Sequence, residues 1–415
     1  MRKYIWIFFL IFCCFPAVVM ANEVPEISSE AAILYQLNED QVIYEKNSEE
    51  ILAPASLTKI MTVFISLEKI ENLDQEVTLT GEMFQGLAES NASVAGFYVG
   101  ETVTYRDLLY GSLFPSGGDA TQALAILLYG NQENFVARMN EKAEEIGMKQ
   151  THFENATGLP DENHYSTASD MALLLKEALK NKTFYELFTT DEYTTSNGKH
   201  TWIPSYLKTA NTYGITVDPI LGGKTGFTND AGYCLASIAT YDDVNYLLVT
   251  LHAPTDGSRA GAVINSMRIY NYFGTNYGYQ TVVQKDTPVY TIKTKKYANQ
   301  PEVSLVSHED ISYYLPNEFD SSQLEISYEG IEEADYQTKK EDKAGTITYT
   351  YEGVVLGSVP VYFLQDISFD LGLFFQMNWY WFVLAFLFLI AVIKIIRTKQ
   401  KKRKKGRENL QKKIW

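Results

Sequence analysis

Pro54-Ala55-Ser56-Leu57-Thr58-Lys59, followed by Ile60-Met61-Thr62-Val63-Phe64-Ile65, is the stretch on which the reading of the chain turns. Pro54 suits the first turn of a helix, where its missing N–H is no loss. Ile60, Val63, Phe64 and Leu67 recur at helical spacing. That predicts an amphipathic helix with Ser56 and Lys59 in its opening turn. Positions i and i+3 share a helix face, so a hydroxyl and an amine stand together near the positive end of the helix dipole. The pair suits a serine nucleophile whose proton is taken by a neighbouring amine. The same spacing recurs at Ser66…Lys69, Ser196…Lys199 and Ser205…Lys208. Spacing alone therefore does not single out Ser56.

The rest of the chain does. Ala31 to Leu37, a turn at Asn38-Glu39-Asp40, and Gln41 to Glu45 read as a β-hairpin ahead of this helix. Thr104 opens a helix over Tyr105 to Ser112, broken at Pro115-Ser116-Gly117-Gly118-Asp119. Asp119 is placed to cap a following helix, Ala120 to Leu128, and Ser116 then sits on a tight loop between two helices. Thr167-Ala168-Ser169-Asp170 has capping-box spacing and opens a helix through Leu174 and Ala178. Pro, Asp, Glu and Asn surround His164, which reads as a residue ordering a loop rather than a general base; His152 shows no partner. Ile220 to Thr228 carries Lys224-Thr225-Gly226 into paired strands, Tyr233 to Thr240 and Asn245 to Leu251, around a turn at Tyr241-Asp242-Asp243. Lys224 is thus expected on a strand, with Gly226 admitting another backbone closely. Arg259 opens a helix to about Phe273.

Both chain ends speak to the compartment. Arg2 and Lys3, the apolar stretch Tyr4 to Met20 and Val19-Met20-Ala21 read as a secretory signal peptide over residues 1–21. Cys13 and Cys14 would leave with it. Cys234 would then be the one thiol of the mature chain, with no internal disulfide, and reads as core. At the other end, Trp379 to Ile396 is apolar but for Lys394 and opens on an aromatic belt, Trp379-Tyr380-Trp381. A membrane span over 374–396 is expected, with Leu371 to Phe375 able to extend it. Residues 394–415 hold eleven Lys and Arg against Glu408, which places a basic tail, 397–415, in the cytoplasm. The chain carries −16 overall despite that tail. An exported part so acidic does not bind polyanions unaided, which argues against a nucleic-acid partner. The tail is better matched to anionic lipid.

About 350 residues between these ends suffice for two domains. From about 283 the texture changes to short Val/Ile/Tyr/Thr-rich runs at Val289–Lys293, Val303–Val306, Leu324–Tyr328, Gly345–Tyr351 and Val354–Phe363. These predict a small β-rich domain over 283–366, a spacer or interaction module without clustered chemistry.

Ser56-x-x-Lys59, the loop serine Ser116 and Lys224-Thr225-Gly226, in that order, resemble the serine penicillin-recognising enzymes. Among them the chain looks like the low-molecular-mass D-alanyl-D-alanine carboxypeptidases. The supporting stretches are Ala55 to Thr62, Asn155…Gly158-Leu159, His164…Met171 and Lys224 to Thr228. The resemblance implies an α/β (α+β) catalytic domain over 22–280, its central antiparallel sheet flanked by helices, then the all-β domain and the membrane helix. It implies Ser56 as nucleophile towards the D-Ala-D-Ala terminus of a peptidoglycan stem peptide and Lys59 as general base. Ser116 would relay the proton to the departing D-alanine. Backbone N–H groups of Ser56 and Phe227 would form the oxyanion hole, with Gly226 beside them. Lys224, Thr225 and Arg259 would hold the terminal carboxylate, the alternative for Arg259 being a surface salt bridge at its helix start. β-Lactams would be trapped as inhibitors, and no metal or cofactor is implied. One position departs from the pattern. The middle motif is usually Ser-x-Asn, whose asparagine would hydrogen-bond the lysine amine and the substrate amide; here it reads Ser116-Gly117-Gly118. Water, a main-chain carbonyl or Asp119 would have to substitute. Glu177…Asn181 has the spacing of a class A β-lactamase deacylation pair but falls at a helix end.

Overall fold

A computed structural model describes residues 24–255 and 258–411. The expected signal peptide, with Cys13 and Cys14, lies outside the described residues. The chain divides into two compact units, meeting between Tyr277 and Gly278.

The first unit is built on a five-stranded sheet. Its strands are β1 (Ala31–Gln36), β2 (Gln41–Lys46), β3 (Ile220–Thr228), β4 (Gly232–Tyr241) and β5 (Val244–Ala253), in the order β2-β1-β5-β4-β3. Every neighbouring pair is antiparallel. The central strands are buried on both faces, which is why β4 reads as a continuous apolar run rather than an alternating one. Ala236, Ile238, Leu247 and Val249 face a core shared with the helical lobe. Ser237 and Thr250 are instead hydrogen-bonded to Tyr270 and Ser266 of a helix, Gly261–Asn276, across the other face.

The helical lobe surrounds α1 (Lys59–Lys69) with α2 (Tyr105–Leu113), α3 (Gly118–Tyr129), α4 (Gln132–Ile146) and α5 (Ala168–Ala178). Here the structure corrects the amphipathic reading of α1. Every residue from Lys59 to Ser66 is buried, because helices pack on α1 from several sides. Its polar members are satisfied inside: Thr62 Oγ1 donates to the Ala156 carbonyl at 2.7 Å, and Ser66 Oγ to the Thr62 carbonyl at 2.7 Å. Ser56 is also not in the α-helix proper. Ala55–Thr58 form a 3₁₀ turn that α1 continues. The capping expectations divide. Thr104 and Asp107 close a capping box on α2, and Thr167 caps α5. Asp119 does not cap α3, which begins at Gly118 with Gly117 ahead of it.

The second unit holds a six-stranded sheet whose strands include Pro288–Thr294, Glu302–Val306, Glu325–Gly330, Lys343–Tyr351 and Val354–Phe363. Its core is Ile292, Val303, Leu305, Ile347, Val361 and Phe363. A separate two-stranded sheet pairs Tyr277–Val283 with Ile311–Pro316; the sequence reading had no strand at either. A single helix, Leu371–Gln411, closes the described chain. Its apolar part is long and apolar enough to cross a membrane by length and composition. At 1.5 Å per residue a 41-residue helix is about 60 Å long, twice a bilayer core, so its basic end continues as helix beyond any span.

Candidate active site

Three segments converge on Ser56. The first is the turn that carries it. Ala55 sits at φ +47°, a left-handed conformation for a residue with a side chain. Thr58 Oγ1 donates to the Ala55 carbonyl at 2.7 Å and lies 2.8 Å from His164 Nε2. The Glu154 N–H donates to His164 Nδ1 at 3.2 Å, so the ring proton belongs on Nε2, donated to Thr58. Burial pushes the His164 pKa down to about 4, which keeps it neutral at pH 7. His164 ties loop to turn, as its neighbours in sequence suggested. His152 does have partners: its Nδ1 lies 2.9 Å from the Asn163 carbonyl and 3.4 Å from Glu154.

The second segment is the loop between α4 and α5. Lys59 Nζ lies 3.1 Å from Ser56 Oγ and donates to the Thr157 carbonyl at 2.5 Å. Asn155 fixes that carbonyl. Its Oδ1 accepts from the N–H groups of Thr157, Gly158 and Leu159 and from Thr157 Oγ1, at 2.7 to 3.2 Å. Asn155→Ala would orphan three backbone donors, for an expected loss of about 2 kcal/mol in denaturant unfolding. An unchanged midpoint would mean that water replaces the amide.

The third segment is β3. Gly226 lies flat against the turn: a Cβ there would come within 3.1 Å of the Pro54 carbonyl oxygen and 3.2 Å of the Ser56 nitrogen. The close approach read from the glycine is present. Lys224 is fully buried, and its amine donates to Ser116 Oγ at 3.0 Å and to the Thr225 carbonyl at 2.8 Å. Thr225 Oγ1 lies 2.5 Å from Ser205 Oγ, a partner that nothing in the sequence had marked. Phe227 is half exposed, with its ring stacked on Tyr233 at 4.5 Å.

A cavity of about 570 Å³ is lined by Ser56, Ser116, Ser205, Thr225, Gly226, Phe227 and Arg259. Lys59 and Lys224 stand behind its serines rather than on its wall. Arg259 is exposed two residues ahead of the helix Gly261–Asn276, not within it, and has no ion-pair partner among the described residues. Burial drives the Lys59 pKa down to about 7, against a nearby Asp119 charge that pulls the other way. Burial, and then the charge of Lys59, push Lys224 well below the ordinary lysine range. Glu177 and Asn181 play no part here; the one pairs with Lys180 and the other caps the next helix, Lys182–Phe188. Asp119 does not reach into the site either. Its carboxylate accepts from the N–H groups of Ala95, Gly96 and Phe97.

An antiparallel sheet with a helical lobe and with a serine and a buried lysine at its edge, followed along the chain by a β-sheet unit, defines a class of serine peptidase-like proteins. The family profile described as D-alanyl-D-alanine carboxypeptidase matches residues 18–255, and that of the penicillin-binding protein 5 C-terminal domain matches 277–368. The chain belongs to the D-alanyl-D-alanine carboxypeptidase family. It is 32% identical over 286 residues to D-alanyl-D-alanine carboxypeptidase DacF of Bacillus subtilis, covering 68% of this chain and 72% of the relative. With DacC of Escherichia coli it shares 35% over 248 residues, 57% of this chain and 60% of that one. Penicillin-binding protein 5 of Haemophilus influenzae superposes with a TM-score of 0.59 at 26% identity, covering 83% of this chain and 98% of that structure. The Streptomyces K15 DD-transpeptidase gives 0.54 at 29%, over 60% and 97%.

Proposed function

We propose that the chain removes the terminal D-alanine from peptidoglycan stem pentapeptides through an acyl-enzyme on Ser56. The observation that carries this is the contact of Ser56 Oγ with a buried Lys59 amine whose pKa lies near 7. A neutral amine at neutral pH is a base matched to its task. Lys59 takes the Ser56 proton as Oγ attacks the carbonyl between the two D-alanines. The N–H groups of Ser56 and Phe227 hold the resulting oxyanion. Collapse breaks the C–N bond, and the proton passes from Lys59 through Ser116 to the departing amine. Water then adds to the ester, with Lys59 again the base, and frees Ser56. Lys224 orients Ser116 through its 3.0 Å hydrogen bond, while Thr225 and Arg259, on the cavity wall, meet the substrate carboxylate. A β-lactam opens at the same step and stays on Ser56. The helix Leu371–Gln411 anchors the protein with its basic end in the cytoplasm and both folded units outside.

A transpeptidase differs only in the acceptor, and the likeness to the K15 enzyme keeps that reading beside the first. Mass spectrometry separates them. The full chain in detergent is mixed with diacetyl-Lys-D-Ala-D-Ala and excess glycine, and separately with penicillin. Loss of one D-alanine, together with a penicillin adduct on the Ser56 peptide, is expected. A glycine-capped product would establish transfer. Untouched peptide with no adduct would overturn the acyl-enzyme and leave a wall-binding protein, the alternative that Gly118 suggests.

A further inference from the structure

The departure at Gly118 has a structural counterpart. A Cβ at Gly118 would lie 2.8 Å from Leu87 Cδ2, 3.3 Å from the Ser93 carbonyl oxygen and 3.5 Å from Ala92 Cβ. A Cβ at Gly117 would lie 2.7 Å from both the nitrogen and the Cβ of Ala95. The two glycines thus let the segment from Leu87 to Ala95 pack onto the Ser116 turn, into space a side chain at 118 would need. The segment is held there firmly. The Gly118 N–H donates to the Ser93 carbonyl at 2.7 Å. The Asp119 carboxylate, inside the first turn of α3, accepts from Ala95, Gly96 and Phe97 as well as from the Ala120 N–H, and Trp202 Nε1 donates to the Ala95 carbonyl at 3.2 Å.

This packing puts Ser93 on the wall of the same cavity as Ser56 and Ser116. Ser93 is exposed there, and its hydroxyl has no partner among the described residues. We propose that Ser93 is a substrate-binding residue of this site, its hydroxyl meeting the peptide amide on the acyl side of the scissile bond, where the family pattern has an asparagine side chain at 118. A hydroxyl both donates and accepts, so it can pair with either edge of that amide. A serine and an asparagine are not close in size; the backbone of the segment, packed against the two glycines, makes up the reach. The proposal rests on the acyl-enzyme reading above.

The test is steady-state hydrolysis of diacetyl-Lys-D-Ala-D-Ala by the full chain in detergent, for wild type, Ser93→Ala and Ser93→Thr. Loss of one neutral hydrogen bond to substrate predicts about tenfold lower kcat/KM for Ser93→Ala at an unchanged thermal midpoint. Ser93→Thr, which keeps the hydroxyl, should stay within about twofold. Wild-type kcat/KM in Ser93→Ala overturns the proposal while leaving the acyl-enzyme reading intact. So does equal loss in both variants, which would make the effect one of loop packing. A wild-type protein that releases no D-alanine removes the parent reading and this one with it.

Discussion

Lys59→Ala is expected to cut the rate of penicillin acylation by about 10³-fold or more while the protein stays folded. General-base assistance alone contributes about 10² to 10⁴, and here no second base stands by Ser56. His164 is turned to Thr58, and the Lys224 amine is engaged with Ser116. The pH profile gives a sharper reading than the loss itself. On the proposed mechanism the active form of Lys59 is the neutral amine, and burial holds its pKa at about 7. Acylation by wild type should therefore rise about tenfold per pH unit below that point and level off above it. The slow residual reaction of Lys59→Ala should lack that inflection. Lys59→Arg should not restore it, because a guanidinium keeps its proton across this range. Stability moves by the same linkage. The unfolded chain holds this lysine's proton up to the ordinary value of 10.5, so the unfolded state binds more protons between about 7 and 10.5. Unfolding free energy from this group rises with pH across that window and is at its lowest below about 7. Removing the amine removes that penalty, so Lys59→Ala should not melt for electrostatic reasons. Normal penicillin labelling of a folded Lys59→Ala protein would exclude Lys59 as the base.

Much of this arrangement was legible as residue types at fixed spacing. Ser56 and Lys59 are three apart, Lys224 to Gly226 precede paired strands, and Thr104 and Asp107 form a capping box; side chains and patterns carry those signals. What escaped was carried by backbone. The acceptor that holds the Lys59 amine is the Thr157 carbonyl, ninety-eight positions along the chain, and every residue has a carbonyl. Asn155 and Gly158 are marked in the sequence only as part of a loop stretch that supports the resemblance; the backbone groups that Asn155 holds carry no sequence signal. Asp119 stands before an apolar run and so reads as a cap, but α3 starts already at Gly118, and three of the four N–H groups its carboxylate holds, those of Ala95, Gly96 and Phe97, are tertiary, with Ala120 the one from the helix. The strand Ile311–Pro316 ends on a proline and is paired with Tyr277–Val283, a partner in a run that had been read as a domain boundary.

Gly158→Ala should do nearly as much damage as losing the base, without touching a reacting group. Gly158 sits at φ +75°, and a Cβ built there would fall 1.9 Å from the Ala55 carbonyl oxygen. No rotamer relieves that contact, because both atoms belong to the backbone frame. Relief requires moving either the Ala55 turn or the Asn155-to-Leu159 loop. Ala55 already stands in the left-handed region at φ +47°, held by Thr58 through its carbonyl. Forcing a second L-residue into such a conformation costs about 1 to 2 kcal/mol before any clash is counted. The neighbouring Thr157 carbonyl positions Lys59, and Ser56 follows Ala55 directly, so a shift of either segment separates nucleophile from base. A misplacement of about 1 Å at such a pair is worth on the order of 10²-fold in rate. Gly158→Ala is therefore expected to lower the unfolding midpoint and to slow penicillin labelling at least that much. Ala55→Gly, which relaxes the facing residue, should leave labelling close to wild type, since it removes a side chain from a strained position without moving a carbonyl. Wild-type labelling in Gly158→Ala would show that the two segments can part without consequence, and that the turn holding Ser56 takes its shape from the β3 side alone.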